Sequence, residues 1–198
     1  MNSIRSAVSS DGGRKWTPES GARLECSGQN YSPPRIVFLS NGGCRLYCVE
    51  RGCGIIIVVS DDFPVFGGEP GVRLAADGAY DSYAAFAPEI LFVVNAGYVM
   101  YYAGYSHANR AYTLRATSED GRTWRKESAP VIAPSSGGWD AAKCSEMCVI
   151  FLAQRDIAGA SCRMLYEACN GTALNERRVW YIVGAIGAAC QNTQRGTP

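Results

Sequence analysis

The sequence predicts an all-β protein, a β-propeller of four-stranded antiparallel blades with about three blades present and the ring incomplete. Three observations carry this reading. Four landmarks recur in one order at a period of roughly 50 to 60 residues: a Ser-Asp turn, a Glu-led segment and two apolar strands. The apolar segments are short, alternate with period two, and are bounded by Gly, Pro, Asn and Asp. Helix periodicity and capping signals are scarce. A short-stranded unit of this length cannot bury both of its own faces, so it must stack on neighbours.

The chain opens in mid-unit. Ile4–Ser9 reads as a third (C) strand and Trp16–Leu24 as a fourth (D) strand, joined by the turn Ser9–Trp16. In the second unit the A strand is Pro34–Leu39, B is Cys44–Glu50, C is Gly54–Ser60 and D lies near Val65–Leu74. The D segment EPGVRL (Glu69–Leu74) echoes ESGARL (Glu19–Leu24). The third unit is the best preserved, with A at Pro88–Val94, B at Tyr98–Gly104, C at Ala111–Ser118 and D at Trp124–Ile132. The last unit has A, B and C at Met147–Ala153, Cys162–Ala168 and Arg178–Ala189, and its turn at Cys190–Asn192 has lost the Asp-Gly pair. This makes thirteen strands in one domain, with blade boundaries near 1–25, 26–75, 76–133 and 134–191. Propellers typically close with four to eight blades. The expectation is an incomplete ring, or one that closes on other copies, and open strand edges would favour self-association.

Composition narrows the partners. The chain has 198 residues, 47% hydrophobic and 19% charged, which is ordinary for a globular domain. Net charge is +1 with acids and bases interspersed, which argues against nucleic acid, because phosphate binding needs a clustered basic face. The longest apolar run, Val179–Cys190, is too short to span a bilayer, so no membrane partner is expected. No signal-peptide core is visible, so the chain as given reads as cytoplasmic. Nine cysteines, an odd number, favour free thiols in a reducing compartment. The spacing of four places Cys44 with Cys48 on one strand face, and Cys144 with Cys148 likewise. There is no CxxC pair and a single histidine, so small buried side chains are favoured over a zinc site, and no metal or cofactor is expected.

The turns SSDGGRKW (Ser9–Trp16) and SEDGRTW (Ser118–Trp124) share a structural chemistry. Asp11 and Asp120 can accept backbone N–H bonds, Gly13 and Gly121 permit positive φ, and Trp16 and Trp124 can anchor the turn against the blade. SDDFPVF (Ser60–Phe66) keeps Ser60 and Asp61 and replaces the Trp with Phe66. These residues resemble the Asp box of sialidases. The wider repeat is similar to the five-bladed propellers of glycoside hydrolase families 32, 43, 62, 68, 117 and 130, in which a Gly-x-Trp-Asp segment leads to a Pro-bearing inner strand. Here YDSYAAFAPEILF (Tyr80–Phe92) and GGWDAAKCSEMCVI (Gly137–Ile150) carry that pattern, with Asp81 seven residues before Pro88 and Asp140 seven before Met147. Met147 departs from the pattern's proline, and the first copy has no equivalent of Asp81. The resemblance implies glycosidic-bond hydrolysis, or a non-catalytic sugar- or protein-binding propeller. It also places one acid of the family's set on a blade ahead of Met1, so weak activity or none is expected of this chain alone.

Glycoside hydrolysis needs two carboxyl groups across the scissile bond. Glu89 stands at the head of an inner strand where the other units carry Arg35 and Cys148, so the blade itself does not require an acid there. It is the first candidate, against the bland reading of a solvated rim glutamate. Asp81 and Asp140 repeat with the blades, which favours a turn role over an axial carboxylate. Glu146 precedes the last A strand, where the third unit has Ala87, and is a candidate for the second carboxylate. Arg35, Tyr105, His107 and Trp139 are candidates for sugar contact, His107 lying in a polar B–C loop where plain solvation is the alternative.

Overall fold

A computed structural model describes residues 3–25, 34–50, 54–61, 66–69, 71–93, 97–151, 160–171 and 180–188. Among them there is no helix. The first unit is split. Strands β1 (Ser3–Ile4) and β2 (Ala7–Val8) pair with β4 (Leu24–Glu25) and β3 (Thr17–Pro18), which makes a broken C–D ribbon. In the second unit β5 (Arg35–Phe38), β6 (Cys44–Glu50) and β7 (Gly54–Ser60) form an antiparallel meander, edged by β8 (Gly67–Gly68) and β9 (Leu74–Ala75). The third unit is β10 (Ala84–Val93), β11 (Gly97–His107), β12 (Arg110–Ser118) and β13 (Arg125–Lys126). The last is β14 (Lys143–Phe151), β15 (Ala160–Cys169) and β16 (Trp180–Ala188).

The strands of the second and third blades are buried on both faces because each of these blades packs between two others. On β6, Tyr47 and Val49 join Ile55 and Ile57 of β7 against Ile90, Met100 and Tyr102 of the third unit. The alternate residues Leu46, Cys48 and Val58 pack towards Ile4 and Leu24 of the first unit. On the far side of the third blade, Leu91, Tyr101 and Ala103 meet Met147, Val149, Met164 and Tyr166. Period-two apolar strands without a solvent face are what stacked blades require.

Four expectations are corrected. The D strands are not continuous: β8, β9 and β13 are two-residue pieces, and Ile132 adds only a single bridge to Thr113. Gly67, Gly68 and Gly71 weaken one such edge and Pro130 interrupts another. The last two inner strands begin at Ala84 and Lys143, four residues before Pro88 and Met147, because a bulge lets each continue through the expected start. The last two blades are not separate sheets, since β12 meets β14 through one parallel bridge, Ala111 to Lys143. Finally, Cys144 is buried but Cys148 is exposed, because the bulge between them shifts the alternation by one. Cys44 and Cys48 lie on an unbulged strand and are both buried. Cys44, Cys144, Cys148 and Cys169 are free thiols, while Cys26, Cys53 and Cys190 lie outside the described residues. The final turn, Cys190–Asn192, also lies outside them.

Candidate functional site

The start of β5 and the bulges of β10 and β14 converge on one cavity of about 430 Å³. Pro34 and Arg35 contribute from β5, Ala87, Pro88 and Glu89 from β10, and Glu146, Met147 and Cys148 from β14. Leu165, Tyr166 and Glu167 of β15 complete the lining. Arg35 pairs in register with Tyr47, Glu89 with Tyr101 and Cys148 with Leu165, so the three residues hold one position in three successive blades. The repeat thus lines up a cation, an acid and a thiol around one hollow.

The backbone carries strain at the mouth of this cavity. Ala87 has φ 48° and Glu146 has φ 44°, and these are the only non-glycine positive φ values among the described residues. They occupy equivalent places, each at the β-bulge just before Pro88 or Met147. A left-handed conformation costs an L residue about 1–2 kcal/mol. Such strain persists where surrounding structure imposes it, and it concentrates at functional sites. Here the bulge re-aims the next two side chains, so that Met147 packs inward on Met164 and Tyr166 while Cys148 faces out.

Glu89 is 3% exposed and its carboxylate is bound by the Arg35 guanidinium. Burial raises the Glu89 carboxyl above its ordinary range, and Arg35 and the Val149 backbone N–H offset this only in part. Glu167 is also raised, first by burial and then by the neighbouring charge of Glu146. Glu146 itself is exposed.

The other candidate residues lie elsewhere. Asp81 is buried and accepts bonds from the Gly78 N–H at 2.6 Å, the Tyr102 hydroxyl at 3.0 Å and Lys126 Nζ at 2.7 Å. Asp140 accepts from the Ser135 hydroxyl and from the Tyr166 hydroxyl, the latter at 3.0 Å. Each aspartate therefore ties the turn before an inner strand to a tyrosine on the next strand of its own blade. Burial, together with the facing carboxylate, pushes both tyrosine hydroxyls well above their ordinary range. Neither aspartate lines the cavity. Nor do Tyr105, which sits under Lys143 Nζ at 5.3 Å, the exposed His107, or Trp139, which is 63% exposed. The structure brings Arg35, Glu89 and Glu146 together and adds Glu167, which sequence reasoning missed. Its signal was available in part: it lies two residues beyond Leu165, the partner of Cys148. Using that signal requires the register of β14 on β15, which the bulge hides.

No protein-family model and no curated protein sequence matches the chain. Solved structures do match in fold. A thermostable family-43 glycoside hydrolase superposes with TM-score 0.66 at 14% identity, over 91% of this chain and 65% of its own. A glycosyl hydrolase from Bacteroides ovatus gives 0.65 at 18% identity, over 92% and 56%. A family 117 glycoside hydrolase produced by the marine bacterium Zobellia galactanivorans gives 0.62 at 16% identity, over 81% and 52%. The fold is a β-propeller, and the chain spans between half and two-thirds of the length of these similar structures.

Proposed function

We propose that this chain forms the sugar-facing wall of a carbohydrate-active propeller and contributes to hydrolysis of a glycosidic bond. The observation that supports this is the convergence of Arg35, Glu89 and Glu146 from successive inner strands on one cavity. Glu89, raised by burial, is suited to hand a proton to the leaving-group oxygen as the glycosidic C–O bond breaks. Glu146 is the second carboxylate, which takes a proton from the attacking water in an inverting reaction or attacks the anomeric carbon in a retaining one. Arg35 orients the Glu89 carboxyl and can donate to sugar hydroxyls. Asp81 and Asp140 act through the blade, holding the turns that lead into β10 and β14.

One observation favours a second reading, a sugar-binding wall without turnover: Glu89 is already engaged by Arg35. Assay of the purified chain on aryl glycosides of arabinose, xylose, fructose, mannose and sialic acid separates the two, with Glu89→Gln as control. Turnover abolished by Glu89→Gln supports hydrolysis at this site, and turnover that survives it overturns the assignment. Sugar binding by calorimetry without turnover supports the second reading. Self-association through open blade edges belongs to the same proposal. A monomer mass at every concentration in sedimentation equilibrium would overturn that.

A further inference from the structure

The bulge in β14 sets two carboxyl groups beside each other. Ser145 pairs with Glu167 and Met147 pairs with Tyr166, so Glu146 is the extra residue facing the step between Tyr166 and Glu167. Both glutamates line the same cavity. The titratable and charged groups lining it with them are Arg35 from β5, Glu89 from β10, Cys148 from β14 and Tyr166 from β15. Among the described residues Arg35 is the only cation of the lining, and it is bound to Glu89. Among the described residues neither Glu146 nor Glu167 forms an ion pair.

Two like charges side by side on adjacent strands repel, and a shared proton is the usual resolution. The proton resides where charge costs most. Glu146 is exposed while Glu167 is half-buried, so Glu167 is the member in which burial favours the neutral form. A neutral carboxyl can donate one O–H bond, and the Glu146 carboxylate at the bulge on the adjacent strand can accept it.

We propose that Glu167 is a positioning residue of this cavity: its neutral carboxyl donates a hydrogen bond to the Glu146 carboxylate and holds it in place as the second carboxylate of the site. The role of Glu146 in that statement rests on the hydrolytic reading above, while the carboxyl–carboxylate pair does not. The direction of the Glu167 shift agrees with the pairing.

The test is a carbon-13 titration of the glutamate carboxyls in the intact chain, in wild type, Glu146→Gln and Glu167→Gln. The expected result is a Glu167 resonance that titrates above ordinary glutamate and falls by roughly one pH unit in Glu146→Gln. A Glu167 midpoint unchanged by Glu146→Gln overturns the pair, whether or not the chain turns over any sugar. The aryl glycoside assay then reads the positioning. Glutamine keeps an N–H donor at every pH, so Glu167→Gln is expected to retain activity and to lose the alkaline fall caused by Glu167 ionising. Glu167→Leu is expected to lose about a hundredfold in kcat with little change in KM. Equal losses in the two variants would overturn the hydrogen bond. If no aryl glycoside is turned over, the titration still decides the pair.

Discussion

In the turn Ser9–Trp16, Asp11 Oδ1 accepts the backbone N–H groups of Arg14 and Lys15, each at 2.9 Å, and Ser9 Oγ accepts that of Gly13. In Ser118–Trp124, Asp120 Oδ1 accepts from Arg122 and Thr123 at 2.7 and 2.8 Å, and Ser118 Oγ accepts from Gly121. The same cap is therefore built twice, with Gly12 as the one extra residue of the first copy. The surroundings of the two caps differ. Arg45 and Tyr47 of the second blade reach the carbonyls of Asp120 and Gly121, the tyrosine at 2.7 Å. Trp124 meets the Tyr47 ring edge-on, centroids 6.1 Å apart. Around the first copy no such blade is described. Trp16 is 62% exposed, and its indole N–H folds back onto the Gly13 carbonyl at 2.9 Å. The expectation that Trp16 anchors its turn against a blade is thus corrected. The cap is a property of the motif, whereas the anchor is a property of the neighbouring blade.

Substitutions in the two copies should separate these terms. Trp124→Ala removes the ring that packs on the Tyr47 cluster and is expected to destabilise by about 3 kcal/mol. Trp16→Ala is expected to cost less than about 0.5 kcal/mol, as exposed substitutions do. Urea unfolding of both variants checks this, and equal losses would mean that the first turn has a partner of its own. Gly121→Ala comes next. Its Cβ would meet Arg45 Nη1 at 2.6 Å and the Tyr47 hydroxyl at 2.8 Å, on a backbone with φ +70°. Gly13 has a similar φ of +85° but only Trp16 at 3.6 Å. The backbone term of about 1 kcal/mol is common to both sites. The excess in Gly121→Ala, about 1–2 kcal/mol, therefore measures the docking of the second blade.

Tyr47→Phe leaves the buried Gly121 carbonyl without its donor and should cost about 1 kcal/mol, with no counterpart in the first copy. The smallest effect is acid sensitivity. Backbone N–H bonds from Thr123 and Arg122 hold Asp120 down at about 2, and those of Lys15 and Arg14, with the Ser9 hydroxyl, also lower Asp11. A depressed carboxyl contributes stability that is fully present above the ordinary aspartate range near pH 4 and is lost as pH falls through about 2. Asp120→Asn should flatten the stability profile between about pH 4 and 2, and Asp11→Asn should do so in the same direction. A profile altered by only one of them would show that the two caps are not equivalent.

The same division runs through the candidate site. Glu89 was legible as a candidate because Arg35 and Cys148 replace it in the other units, and the cavity unites those three positions. That Arg35 binds Glu89 was not legible, since 54 residues separate them and nothing local links their charges. Asp81 and Asp140 were legible as a repeated feature, but their tyrosine partners, Tyr102 and Tyr166, emerge only when the turn folds over the next strand. Glu167 was illegible because one bulged residue decides which side of β14 faces which side of β15.

By itself the sequence determined the all-β class, the order of units, the bounds of β6 and β7, and both aspartate caps. These rest on period-two burial and turn chemistry that act within a few residues. Only the tertiary structure decided that Trp124 is packed while Trp16 is exposed, that Glu89 is paired, and that Glu146 stands beside Glu167. Each of those outcomes depends on a contact between blades or on a one-residue slip at a bulge. A local pattern cannot specify either, because a slip of one residue turns every later side chain to the opposite face.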